Sequence, residues 1–164
     1  MKDELKVLAE LGLGSRLNRL SGRLMKEIQT AYEMAGIDFD PYLFPIFKII
    51  INSEVVTTSH IQESLQYTQP AITQALKKLV KKKLIDFKSD EIDKRKKLFY
   101  LTGKGQEVHQ KMIPLWEVMD IKVKELVNFS PTNLMEHITQ LESRLNERSL
   151  STAILEDFQL QIKV

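Results

Sequence analysis

Between Gln69 and Lys81 the chain alternates two kinds of side chain at helical spacing, with Ile72, Ala75, Leu76, Leu79 and Val80 on one face and Gln69, Thr73, Gln74, Lys77, Lys78 and Lys81 on the other. The polar set has a definite chemistry. A glutamine amide pairs bidentately with the edge of adenine, a threonine offers a hydroxyl or a methyl to thymine, and a lysine reaches guanine or phosphate. Further along, Lys94-Arg95-Lys96-Lys97 forms an unbroken basic run. A guanidinium at such a position could enter a narrow A·T-rich minor groove, where negative potential is concentrated. Arg95 is the arginine of that run, and its other role would be an ion pair with Asp93. The two roles are compatible, because the carboxylate could hold the arginine's direction.

These groups need a framework. Thr57 or Thr58 can cap a helix that buries Ile61 and Leu65; after Gln66-Tyr67, Thr68 can cap a second helix running from Gln69 to Lys82. That pair has the form of a helix-turn-helix. Ile85 to Lys88 and Lys97 to Leu101 alternate in character around the polar turn Ser89-Asp90-Glu91-Ile92-Asp93, which predicts a β-hairpin carrying the basic run at its tip. The second strand ends in Leu101-Thr102-x-x-Gly105 and feeds another helix. Helix-turn-helix followed by a basic hairpin describes a winged helix, so base readout is expected from Gln69, Thr73, Gln74 and Lys77. Phosphate contacts are expected from Lys78, Lys81 and Lys82. Thr68 and Pro70 at the start of the helix, with Lys94, Arg95 and Lys96 on the wing, complete the expected contact set. The competing reading is an ordinary amphipathic surface helix beside a solvated charge run.

The distribution of charge favours the first reading. The net charge is only +2, but residues 68–105 hold eleven Lys or Arg against four acids, a balance of +7. The other residues hold 13 basic and 18 acidic side chains, a balance of −5. A basic middle between acidic ends suggests a module that faces a polyanion, mounted on something else.

Composition closes off other classes. With no cysteine among 164 residues there is no disulfide, thiol switch, cysteine nucleophile or cysteine-held metal. No stretch approaches the roughly 18 apolar residues of a membrane span, and the charged start Met1-Lys-Asp-Glu-Leu5 lacks the pattern of a signal peptide, so a cytoplasmic protein without membrane contact is expected. His60, His109 and His137 have no metal-site spacing, and the six glycines form no phosphate loop, so no catalytic residue, metal or cofactor is expected.

Flanking the module are long apolar stripes. Leu5, Leu8 and Leu11, then Leu17, Leu20, Leu24, Ile28, Ala31 and Ala35, predict a long amphipathic helix ending at Gly36, with a break near Gly12-x-Gly14. Asp40-Pro41 is an N-cap followed by proline, and Tyr42 to Ile51 fits a short buried helix despite Pro45. Val108, Met112, Leu115, Trp116, Met119, Val123, Leu126 and Val127 trace a stripe about 25 residues long, interrupted by Pro114. Ser130-Pro131 is then expected to cap a helix burying Leu134, Ile138, Leu141 and Leu145. Stripes at both ends are expected to pair between subunits; the competing arrangement is an intramolecular bundle. Phe39, Tyr42, Phe47 and Trp116 could line a pocket for an effector, or simply belong to the core.

The segment Thr57 to Gly105 resembles the winged helix of the MarR family of bacterial transcriptional regulators. The matching residues are Ile61 and Leu65, Ile72-Thr73 and Leu79, Leu84-Ile85, Asp93-x-Arg95 at the wing tip, and Leu101-Thr102-x-x-Gly105. A weaker resemblance extends over residues 12 to 150. Residues 12–25 and 37–45 are similar to the MarR-like half of proteins that carry a GNAT-type acetyltransferase after it, and no acetyltransferase is expected within the remaining residues of this sequence. The resemblance implies a mainly α fold with a small β-hairpin wing: an N-terminal dimerisation helix region (1–36), a winged helix-turn-helix (37–105), C-terminal dimerisation helices (106–148) and a C-terminal extension (149–164). It also implies a homodimer on palindromic double-stranded DNA, acting as a repressor and often responding to a small molecule. The alternatives are a winged-helix protein-interaction module without specific DNA binding, or a regulatory subunit for an acetyltransferase partner. The chain departs from the family where glycine often precedes the residue matching Leu84, since Lys83 stands there, and where Gln62 and Gln66 replace small residues.

Overall fold

The computed structural model describes residues 3–129 and 131–162. They form two compact units, one ending at Leu115 and one beginning at Trp116. The first unit opens with α1 (Glu4–Val7) and a 3-10 turn (Ala9–Gly12), followed by the long α2 (Leu13–Met34). The expected break therefore falls at Gly12, where an added Cβ would lie 2.7 Å from the carbonyl oxygen of Leu5. Arg19 grips Asp3 with two 2.9 Å hydrogen bonds, folding the short leading helix back along α2 and holding the Asp3 carboxyl below its usual range. Helix α2 stops where expected, at Gly36 with φ +69°, because the left-handed turn there lets Ile37 N–H return to the carbonyl of Tyr32.

Asp40 caps as anticipated, its carboxylate accepting the N–H of Tyr42, and a 3-10 turn (Pro41–Leu43) leads into α3 (Phe44–Ile51). Pro45 lies in the first turn of α3, where its missing N–H is no loss, so it starts this helix rather than interrupting it. Helix α4 (Thr58–Leu65) is capped by Thr57, whose hydroxyl accepts the His60 N–H at 3.1 Å. Helix α5 (Gln69–Lys81) has Thr68 at its cap position without a side-chain cap hydrogen bond. Between α4 and α5, Gln66 takes a left-handed conformation, φ 53°.

The wing is β2 (Ile85–Ser89) and β3 (Lys97–Leu101), paired antiparallel with Phe87 opposite Phe99. A third strand, β1 (Val56–Thr57), pairs with the other edge of β3. It was not anticipated, since two residues have no periodicity to detect; Thr57 serves as both strand partner and helix cap. The core of this unit is built from Tyr32, Phe39, Leu43, Ile46, Phe47, Ile50, Ile61, Ile72, Leu79, Ile85 and Met112, all essentially inaccessible to water.

Helix α6 (Gly103–Val127) contains Pro114, and the division between the units falls within it. The second unit continues with two short paired strands, β4 (Asn128–Phe129) and β5 (Thr132–Asn133), then α7 (Leu134–Glu147) and α8 (Leu150–Ile162). The cap of α7 is Asn133, which accepts the Met135 N–H at 2.9 Å, and not the Ser130-Pro131 pair; Ser130 lies outside the described residues. Nor does α7 bury Leu134, Ile138, Leu141 or Leu145, because an apolar stripe is covered only where something packs on it: no α7 residue is buried, and Leu145 is 49% exposed.

One junction governs the first unit. The last turn of α5 closes as a Schellman motif, with Lys83 N–H donating to the carbonyl of Val80 and Leu84 N–H to that of Leu79. This needs Lys83 at φ 59°, a conformation glycine adopts without strain and lysine does not. Replacing Lys83 with glycine is therefore expected to raise stability by about 0.5–1 kcal/mol, measured by denaturant unfolding. Gly105→Ala should do the reverse, lowering stability by about 3 kcal/mol or more, because the new methyl would fall inside the carbonyl oxygen of Leu84 and 2.7 Å from Leu101 Cδ1. A Gly105→Ala midpoint equal to that of the parent would contradict the packing described.

Candidate nucleic-acid interface

The buried face of α5 is Ile72, Ala75, Leu76 and Leu79, which fixes the rotation of the helix about its axis. That rotation turns Gln69, Thr73, Lys77 and Lys81 toward the wing, across a groove of about 550 Å³. From the other side of the groove come Arg95, Lys96 and Lys97, and from the start of α4 the hydroxyls of Thr57, Thr58 and Ser59. Five cations line this groove and no acid does. On the outer edge of α5, Pro70 and Gln74 join Gln69, Thr73 and Lys77 around a second, shallower depression. The expected base-reading residues thus share one side of the helix.

Two of the expected phosphate contacts are placed differently. Lys78 donates to Asp40 at 3.1 Å, and Lys82 to Asp38 at 2.6 Å. Neither lines the groove. They brace α5 against the segment between α2 and α3, with their charges offset by those two acids. Sequence spacing could not reveal this, because the partners are 38 and 44 residues away. Lys81, without such a partner among the described ion pairs, stays on the groove side.

At the wing tip, Asp93 accepts both the backbone N–H of Arg95 at 3.1 Å and its Nε at 3.4 Å, while the arginine side chain is 94% exposed. The carboxylate therefore orients a guanidinium that remains available to a partner. Lys94 is exposed beside it. Lys97 belongs to the basic run but not to the expected contact set; its ammonium sits 3.9 Å from the centroid of the Phe87 ring, which holds it at the wall of the groove. Thr58, a candidate cap in the sequence, and Ser59 are not among the expected contacts, since a hydroxyl beside a helix start carries no binding signal of its own.

Of the aromatics expected near an effector, Phe39 and Phe47 are fully buried and pack on each other at 5.3 Å, with Tyr32 at 5.5 Å from Phe39. They act as core here. Tyr42 is exposed, and Trp116 falls in the second unit. His60, His109 and His137 stand on three different helices, and burial together with the charge of Lys48 keeps the His109 imidazole below its ordinary pKa. No helix among the described residues is long and apolar enough to cross a membrane.

The placement of the lysines has a direct test in the salt dependence of duplex binding. Each lysine that neutralises a phosphate contributes about 0.9 to the slope of log affinity against log salt. Lys77→Ala and Lys81→Ala should each flatten that slope by about 1, whereas Lys78→Ala and Lys82→Ala should leave it unchanged and instead lower the unfolding midpoint slightly.

Comparison with known proteins agrees with this geometry. Residues 44–97 match the model of the MarR family. No curated protein sequence matches the chain. Among solved structures, the transcriptional regulator BldR from Sulfolobus solfataricus is similar at 23% identity and a TM-score of 0.60, over 90% of this chain and 100% of that one. The M. tuberculosis regulator MOSR, solved in complex with DNA, has 22% identity and a TM-score of 0.67, over 83% of this chain and 97% of that one. A mutant of E. coli MarR solved with operator DNA has 20% identity and a TM-score of 0.60, over 89% of this chain and 98% of that one. The chain thus has the winged-helix fold of these structures, and its residues 44–97 match the model of the MarR family.

Proposed function

We propose that this protein is a sequence-specific DNA-binding transcriptional regulator, acting as a homodimer on a palindromic operator and repressing by occupying it. The observation that carries this reading is the groove between α5 and the wing, which Lys77, Lys81, Arg95, Lys96 and Lys97 line with no acid among its walls, Arg95 being oriented by Asp93, while Lys78 and Lys82 pair with acids on another side of the helix. A basic wall beside amide and hydroxyl groups fits a polyanion that also carries hydrogen-bonding base edges. Gln69, Thr73 and Gln74 read bases, Lys77 and Lys81 serve base or phosphate, and Arg95 reaches the adjoining minor groove.

The dimer reading is supported by apolar side chains left open in the single chain. Leu13, Leu17 and Leu20 of α2, and Leu141 and Leu145 of α7, are each at least 39% exposed. A second copy would cover such stripes, and a two-fold axis would set the two recognition helices on half-sites about one DNA turn apart. A small-molecule effector would act by changing the separation of the two helices.

Three results test the reading. Fluorescence anisotropy against a duplex enriched by the protein from a randomised pool, compared with its shuffled counterpart, should show a preference of about a thousandfold at near-physiological salt. Gln74→Ala should shrink that preference while leaving shuffled DNA unaffected. Leu17→Glu with Leu20→Glu should shift the protein toward monomer in sedimentation and weaken operator binding. Equal, steeply salt-dependent binding to both duplexes would remove sequence specificity from the account, and no binding to either would favour a protein-interaction module.

A further inference from the structure

We propose that Asp90 is a positioning residue for Arg95, setting the place of that guanidinium through the hydrogen bonds that close the wing tip. Asp90 Oδ1 accepts the N–H of Ile92 at 2.9 Å and that of Asp93 at 2.8 Å. Its own N–H donates to the carbonyl of Lys96 at 3.0 Å, and Lys96 N–H donates to the carbonyl of Asp93 at 2.8 Å. Asp93, placed in this way, turns its carboxylate to the backbone N–H and Nε of Arg95. The order runs from Asp90 to the Asp93 backbone, from there to the Asp93 carboxylate, and so to Arg95.

The charges make such a device necessary. Lys94, Arg95, Lys96 and Lys97 repel one another along a four-residue run, and a hairpin tip has no core to hold it. Two half-buried carboxylates among the cations offset that repulsion and satisfy three backbone donors. The same N–H bonds, from Asp93 and then Ile92, hold the Asp90 carboxyl below its usual range, so the group stays ionised under ordinary conditions. Ordering the tip before it meets DNA removes the entropy that a loose arginine would lose on binding. That consequence rests on the DNA-binding reading above, whereas the positioning itself does not.

Two measurements decide the matter. In the free protein, backbone amide order parameters over residues 92–96 should sit near the rigid value of about 0.85, fall below about 0.6 in Asp90→Ala, and be retained in Asp90→Asn, whose amide oxygen still accepts both N–H groups. A tip that stays rigid in Asp90→Ala overturns the proposal. With the enriched duplex, Asp90→Ala and Arg95→Ala should each weaken binding about tenfold, and the double variant should bind no worse than Arg95→Ala alone. Asp90→Asn should bind within about twofold of the parent. Losses that multiply in the double variant, or an Asp90→Asn as weak as Asp90→Ala, show that Asp90 does not act through Arg95. A protein that enriches no duplex while its tip loosens in Asp90→Ala would keep the positioning role and remove the DNA reading.

Discussion

The structure of the first unit depends on the crowded crossing of the start of α6 over the end of α5. Thr102 Oγ1 donates to the carbonyls of Lys83 and Leu84 at 2.7 and 3.1 Å and accepts the Gly105 N–H at 3.0 Å. Thr102 N–H adds a bond to the Leu84 carbonyl at 3.2 Å, and the Lys104 ammonium one to the Lys82 carbonyl at 2.9 Å. Three donors thus converge on the carbonyls of Lys82, Lys83 and Leu84, where the end of a helix leaves acceptors to be satisfied. Gly105 lets the backbones approach closely enough for this, and the approach holds Lys83 in its left-handed turn. The direction in which the chain leaves α5, and hence where the wing stands beside it, follows from this one junction.

Everything proposed to meet DNA is arranged from there. Strand β2 begins immediately after the junction, and β3 ends in it, so the hairpin is anchored at both ends beside α5. Asp38 and Asp40 brace α5 through Lys82 and Lys78, leaving Lys77 and Lys81 to the groove. Individually these exposed pairs are worth only about 0–1 kcal/mol. Their larger effect is electrostatic sorting, which concentrates unneutralised charge on one side of the helix.

Much of this was legible in the sequence, and the reasons differ by element. The amphipathic pattern of residues 69–81 indicates which face of α5 is exposed, because burial of Ile72, Leu76 and Leu79 determines its rotation. The motif Leu101-Thr102-x-x-Gly105 announces the wing's exit, and Lys83, at a position where the family often has glycine, takes the left-handed conformation. What escaped were features set by distance in space. Strand β1 is too short to carry a period, the acid partners of Lys78 and Lys82 are remote in the chain, and the cap of α7 is Asn133, at the end of a two-residue strand equally too short to detect. The stripes of α2 and α7 were legible as apolar, yet within one chain they stay open to solvent; amphipathicity states that a surface needs covering and not what covers it.

The central claim is that the groove side of α5 enters DNA while the braced side does not. A photo-crosslinking side chain introduced at position 77, and separately at position 82, would test it most directly with the enriched duplex. Efficient crosslinking from position 77, absent from position 82 and abolished by excess unlabelled operator but not by shuffled DNA, is the predicted result. Crosslinking from position 82 equal to or stronger than that from position 77 would place the wrong side of the helix against the duplex and contradict the account.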